Sequence, residues 1–213
     1  MESLVLVRGY IGHRRDRHFG ARVDRKYGCD TRGPIPLERL EIDSPNVEDG
    51  VHYEAVSDVY LRRMIRTRTI SPEKYVFVDL GSGKGRALLI AAEYPFKAFV
   101  GVEFSPELHE IAQRNIERFE AHTRSKQQFD LRLGDAVTFE FPLEPIALHL
   151  YNPFGERVLR EVVGRLEASL RELPRPVVVY YRHPVHRRVL DQAPFLEVVK
   201  ATSRYAVYSG HER

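Results

Sequence analysis

From Tyr75 onward, short β-branched apolar runs alternate with segments whose apolar residues recur at helical spacing, which predicts an α/β fold with helices on both faces of a mostly parallel sheet. Tyr75–Leu80, Ala98–Glu103, Phe129–Leu133, Ile146–Tyr151 and Pro176–Tyr181 read as strands, and Phe195–Val199 with Tyr205–Tyr208 as a terminal antiparallel pair. Lys84–Glu93 reads as a helix. Ser105-Pro106-Glu107-Leu108 opens a second helix, with Ser as cap, Pro at the first helical position and Leu108, Ile111, Ala112, Asn115, Ile116 and Phe119 along one face, running to about Ala121. Val158–Leu170 carries a third apolar stripe. Residues 1–50 lack this rhythm: Arg/His-rich and Gly/Pro-rich stretches fill them, and Ala55–Met64 then reads as one helix. With Ser71-Pro72 just ahead of the first strand, the expected organisation is an N-terminal arm and helix over 1–70, packed as an extension, and a core over 71–213.

Composition narrows the class. The chain has 213 residues, 43 % apolar and 30 % charged, with 14 Gly and 13 Pro, which excludes collagen-like and wholly disordered chains. Its longest apolar runs, such as Leu88–Ala92 and Val177–Tyr181, fall far short of the ~18 residues that span a bilayer. Leu4–Val7 is too short for the core of a secretory signal. No membrane association and a cytoplasmic location are the expectation, and the lone Cys29, which can form no internal disulfide, suits a reducing compartment. The Cys and His spacing suggests no metal site. The net charge of +3 is ordinary, yet both ends are basic: nine Arg/Lys against five Asp/Glu over 1–40, and seven against three over 175–213. Without interleaved aromatic platforms this pattern does not favour nucleic acid as partner, and Arg14–His18 reads as a solvated face.

The densest chemistry lies between the first strand and its helix, in Asp79-Leu80-Gly81-Ser82-Gly83-Lys84-Gly85-Arg86. Gly81 and Gly83 let backbone pass against a ligand with no Cβ in the way, and Gly85 permits close helix packing. Strand, glycine turn and helix in this order is the setting for a nucleotide-type ligand. The G-x-G-x-G spacing departs from the dinucleotide fingerprint, and Lys84 lacks the spacing and hydroxyl neighbour of a P-loop. Glu103 ends the second strand, where a carboxylate can accept from both hydroxyls of a ribose. Asp135, after the third strand, is a candidate acceptor for an exocyclic adenine amine, with Phe104 as a wall for the ring. In an open α/β sheet the reacting partner lies beyond the strand ends, here at Asn152-Pro153-Phe154. Asn152 offers an acceptor oxygen to the N–H groups of an amine or amide, and Phe154 a face for packing or for a cationic centre. Asn-Pro is equally suited to opening the next helix. His183 and His186 follow the fifth strand at the rim of the expected pocket, in a basic loop that reads as solvated. Cys29 has no base beside it, and Arg32 suits either an anchor for the arm or a carboxylate partner.

These stations resemble the class I S-adenosylmethionine (SAM) methyltransferases over roughly Tyr75–Tyr208. The resemblance implies a Rossmann-like, seven-stranded sheet closed by an antiparallel hairpin, with SAM as cofactor. It assigns the methionyl part to Asp79 and the Gly81, Ser82, Gly83, Gly85 turn, the ribose to Glu103, and the adenine to Asp135 and Ala136 beside Phe104. Asn152-Pro153-Phe154 is similar to a shortened Asn-Pro-Pro-aromatic motif of enzymes acting on adenine or glutamine, but lacks the second Pro, which argues against those acceptors. The glycine turn, the Asn-x-Phe and the Tyr53-Glu54-Ala55-Val56-Ser57 segment resemble the Dot1-related and small protein-lysine methyltransferases, which implies Tyr53 as a lid residue and a protein lysine as acceptor. A small-molecule or RNA acceptor, and a SAM-binding module without turnover, are the alternatives. No strong catalytic base is expected, and oligomeric state is not legible in the sequence.

Overall fold

The protein's computed structural model describes residues 21–67 and 70–210. The strands are β1 (Val76–Leu80), β2 (Ala98–Glu103), β3 (Phe129–Leu133), β4 (Ile146–Tyr151), β5 (Val177–Arg182), β6 (Glu197–Ala201) and β7 (Tyr205–Gly210), forming one sheet in the order β3-β2-β1-β4-β5-β7-β6. The first five run parallel, and β7 lies antiparallel between β5 and β6. The expected Rossmann-like sheet with its terminal hairpin is therefore present. Strand order reverses between β1 and β4, so a crevice opens at their carboxyl ends.

Residues 21–27 are helical (α1), followed by α2 (Asp58–Ile65), α3 (Arg86–Ala91), α4 (Pro106–Thr123), α5 (Glu156–Glu172) and α6 (Arg187–Asp191). All five residues of β1 are buried, as a parallel strand covered on both faces requires. Val78, Leu80, Leu148 and Leu150 face α5, where they meet Leu159, Val162 and other apolar residues. Phe77, Ala147, Val178 and Tyr180 face the opposite way, into a cluster with Leu61 and Met64 of α2, Leu88 and Leu89 of α3, and Val23 and Tyr27 of α1. Each fully buried aliphatic side chain of these layers contributes about 1.5–3 kcal/mol.

Four differences from the sequence reading appear. The helix after β1 begins at Arg86 instead of Lys84, because Gly85 sits at φ 80°, a left-handed conformation outside any α-helix. The helix expected from Ala55 begins at Asp58, after an extended Ser57. Within the segment read as irregular, residues 21–27 form α1, and the five-residue α6 was not anticipated either. Ser105 caps α4 as expected, accepting from the Leu108 N–H at 3.3 Å. The Leu4–Val7 run and Arg14–His18 lie outside the described residues. Among the described residues no helix is long and apolar enough to cross a membrane, and no group of three or more His, Cys, Asp or Glu could hold a metal ion.

Candidate functional site

The glycine turn leaves β1 with Gly81, Gly83 and Gly85 all at positive φ (74°, 52° and 80°), so its course depends on residues without a Cβ. A Cβ at Gly85 would meet Ala112 Cβ of α4 at 3.3 Å, which is the close helix packing expected there. Gly83 departs from expectation. A Cβ on it would lie 2.3 Å from Tyr53 Cε2, so the space left by the missing side chain is filled by the arm's tyrosine ring, not held open for a ligand. Tyr53 is fixed there by its hydroxyl, which donates to the Thr31 carbonyl at 2.7 Å, and by a backbone bridge to Ile35.

The turn's own cations hold the arm. The Lys84 ammonium donates to the Arg32 carbonyl at 3.0 Å and pairs with Asp30 at 3.3 Å. Arg86, only 2 % exposed, donates through Nε to the Val56 carbonyl at 2.8 Å and through Nη1 to Thr31 Oγ1 at 2.6 Å, and pairs with Asp24. Arg32 pairs with Asp24 as well, an anchor for the arm. Further along, Ser44 and Asn46 donate to Asp135 at 2.5 and 2.9 Å, Gly50 bridges Phe154, and Arg157 of α5 reaches Asp49. The arm thus crosses the carboxyl edge of the sheet from the glycine turn to α5.

Two cavities lie beneath it. The larger is lined by Tyr53, Gly81, Gly83, Glu103, His149 and Asn152, among others. The smaller is lined by Gly50, Asp135, Ala136, Phe154 and Val158. Gly81, Phe104 and Pro153 line both, so the two form one elongated cleft. Glu103 is 3 % exposed; its Oε2 accepts from the Gly83 N–H at 2.7 Å and its Oε1 from the Ser105 N–H at 2.9 Å. Each oxygen keeps a second lone pair, enough for two hydroxyl donors. Burial pushes this carboxyl up to about 7, with the Asp79 charge adding to the rise and the Ser105 and Gly83 N–H groups opposing it.

Asp135 accepts from Ser44, Asn46 and the Val137 N–H, and so begins a short 3-10 turn. Burial acts to raise its pKa, but these hydrogen bonds outweigh it and hold the carboxyl below the ordinary value. Three of its lone pairs are engaged, leaving one for an outside donor. Asp79 is paired with His149 across the β1–β4 register, Oδ1 to Nδ1 at 2.7 Å. At the end of β4, Asn152 takes φ 40°, and its Oδ1 is buried with no hydrogen-bond partner. Asn152 does not cap α5, whose N-cap is Gly155. Of the two roles read for Phe154, the structure shows packing: it lies in the apolar cluster shared with α5 and lines the smaller cavity, not the larger one that Asn152 borders.

Other candidates fall away. His183 is exposed, and neither it nor His186 lines the cleft. Cys29 is buried with its thiol pushed up to about 11 by burial, a poor nucleophile. Sequence reasoning missed His149, Tyr151, Glu54 and Arg86. The available signal for His149 was a single imidazole in an apolar strand, fourth in β4 as Asp79 is fourth in β1.

Comparison with known proteins follows this geometry. The family described as "Histone methylation protein DOT1" matches residues 41–135, just under half of the chain. Among solved structures, the ribosomal protein L11 methylase of Lactobacillus delbrueckii subsp. bulgaricus is 14 % identical, with 72 % of this chain and 77 % of that one covered and a TM-score of 0.50. TrmN of Thermus thermophilus is 20 % identical, over 74 % of this chain and 49 % of that one, at a TM-score of 0.52. The N,N-8-amino-8-demethyl-D-riboflavin dimethyltransferase RosA of Streptomyces davawensis is 14 % identical, over 72 % and 54 %, at 0.51. No curated protein matches the chain. Sheet order, glycine turn and family match together define a class I, Rossmann-like methyltransferase that uses SAM. Within that class the match over 41–135, which takes in Tyr53, the glycine turn, Glu103 and Asp135, is consistent with the Dot1-related group. The residues present fit this cofactor: a ribose-type acceptor pair at Glu103 stands in the larger cavity beside Asp79 and Glu54, and the adjoining smaller cavity is apolar and edged by Asp135.

Proposed function

We propose that the protein transfers the methyl group of SAM to an amine-type nitrogen, with a protein lysine as the preferred acceptor. SAM supplies the chemistry through a methyl group activated on its sulfonium. The chain's residues bind, orient and exclude water. Glu103 accepts from the ribose hydroxyls, Asp79 and the Gly81–Gly85 turn receive the methionyl part, and Asp135, Ala136 and Phe104 receive the adenine. Tyr53, tied to Thr31 and lying on Gly83, closes this end as a lid residue. The arm and helix over 1–70 thereby act with the core over 71–213 as one catalytic unit.

The observation that carries the acceptor assignment is the buried, partnerless Oδ1 of Asn152 on the wall of the larger cavity. A buried amide oxygen with no partner forgoes a hydrogen bond, and an N–H donor in the cavity restores it. An amine that arrives neutral, its ammonium proton already given up to water, and whose N–H groups are held there has its lone pair directed at the methyl group, and positioning of this kind can supply much of the rate enhancement. The likeness to a histone methylation family favours a protein among amine-bearing acceptors. The solved relatives act on diverse acceptors, so the shared fold alone does not choose.

Incubation of the purified protein with methyl-labelled SAM and fractionated host extract tests the assignment. The expected result is label in the protein fraction, recovered as methyl-lysine after acid hydrolysis. Label confined to RNA or to small molecules overturns the lysine assignment, and tight SAM binding with no transfer to any fraction makes the protein a binding module.

A further inference from the structure

His149 stands directly across the parallel register from Asp79, with its Nδ1 2.7 Å from Asp79 Oδ1 and side-chain exposures of only 1 % and 4 %. An ionised carboxylate can only accept, so the proton between them belongs to Nδ1, and the tautomer this pair selects carries its lone pair on Nε2. Nε2 is buried and has no hydrogen-bond partner. The ring is stacked on Phe77, centroids 6.1 Å apart and planes 20° apart, which fixes its orientation from a second side. His149 and Asp79 both line the larger cavity, with Glu54 and Glu103. Arg86 also lines it, but its guanidinium is engaged by Asp24, Thr31 and the Val56 carbonyl. An acidic wall with an oriented lone pair is built to receive a cationic donor.

We propose that His149 Nε2 is a recognition atom for the α-ammonium of SAM, with Asp79 setting its tautomer and orientation. The proposal rests on the SAM-dependent reading of the cleft. The chemistry of the ligand selects the group. The sulfonium has no N–H to give, and the α-carboxylate is an acceptor that an unprotonated nitrogen repels. The ribose hydroxyls and adenine amine are donors, and Glu103 and Asp135 stand ready for them. The α-ammonium, with three donors and a positive charge, is the part that matches a lone pair beside Asp79.

The test uses the full-length protein labelled with ¹⁵N-histidine and two ligands, S-adenosylhomocysteine (SAH) and its analogue lacking only the α-amino group. The Nε2 resonance, assigned by its loss in His149→Asn, is expected to move toward the hydrogen-bonded position on addition of SAH and to stay in place with the analogue. By calorimetry SAH should bind about tenfold more tightly than the analogue, the scale of a charge-assisted hydrogen bond. In His149→Asn, whose amide still donates to Asp79, that preference should fall to within about threefold, with affinity for the analogue unchanged. If that variant does not fold, His149→Gln supplies the assignment and the wild-type resonance decides. Equal shifts with both ligands, or an undiminished preference in the variant, overturn the proposal. A resonance insensitive to both, with the variant impaired in methyl transfer alone, makes His149 a group for the acceptor and overturns it equally. Failure of SAH to bind at all overturns the SAM reading, and this proposal with it.

Discussion

Asn152 could have served either as a helix cap or as an acceptor-orienting group, and the two roles have different signatures. A lost cap costs on the order of 1 kcal/mol, but α5 is capped at Gly155, so any melting cost of Asn152→Ala comes from placing Ala at φ 40°, and Asn152→Gly, free of that strain, should melt close to the parent. SAM affinity should hold, while turnover falls by about tenfold to a thousandfold, as expected when a contact made near the transition state is lost. Equal turnover in the variant, measured with affinity and melting on the same preparation, removes Asn152 from the acceptor site. Glu103 gives a second test. Its folded pKa, pushed up to about 7 from 4.5, lies above the unfolded value, so the stability it contributes is fully present below about 4.5 and is lost as pH rises through about 7. Ribose hydroxyls favour the ionised form, so SAH affinity should rise with pH through this range and level off above it. Calorimetric affinities that stay flat between pH 6 and 8 contradict the assignment. Both residues were legible in the sequence because a strand end marks them. His149 was not: which face of the sheet a side chain takes follows from register, and the β1–β4 register pairs Asp79 with His149 only once the strands are aligned.

Among the elements, the turn just past α3 carries an ion-pair hub at Glu93. Lys26 and Tyr27 of α1 and Arg62 of α2 all donate to the Glu93 carboxylate, at 3.1 and 2.7 Å for the first two. Burial acts to raise the Glu93 pKa, yet the bonds from Arg62, Tyr27 and Lys26 outweigh it and bring it down to about 2. A folded value below the unfolded one means stability that is present above about 4.5 and lost as pH falls through about 2. Glu93→Gln should therefore cost roughly 1–3 kcal/mol at neutral pH. Thermal melts of the variant and the parent should converge between pH 5 and pH 2; a constant gap across that range would show that packing, not charge, carries the effect. The strands and the long helices α4 and α5 were readable because their periodicity is local. The arm was not, since what orders it is distant: Arg86, Lys84 and Asp135 of the core hold residues 24–56 through side-chain contacts that leave no periodic trace in the arm's own sequence.

For the whole molecule, the strand order opens a crevice between β1 and β4, and the glycine turn, Glu103 and the β4 end meet there under the arm. The cleft's two cavities share Gly81, Phe104 and Pro153, a shape suited to an amino acid joined to a nucleoside. A doubly wound sheet with a glycine-rich turn also serves dinucleotides, and the G-x-G-x-G spacing is what separates the two ligand classes here. Every step of the account depends on that distinction. Calorimetric titration of the protein with SAM, SAH and NAD tests it most directly: the account predicts one saturable site for SAM and SAH and no comparable heat from NAD, whereas NAD binding as tightly or more tightly, with none from SAM, would contradict it.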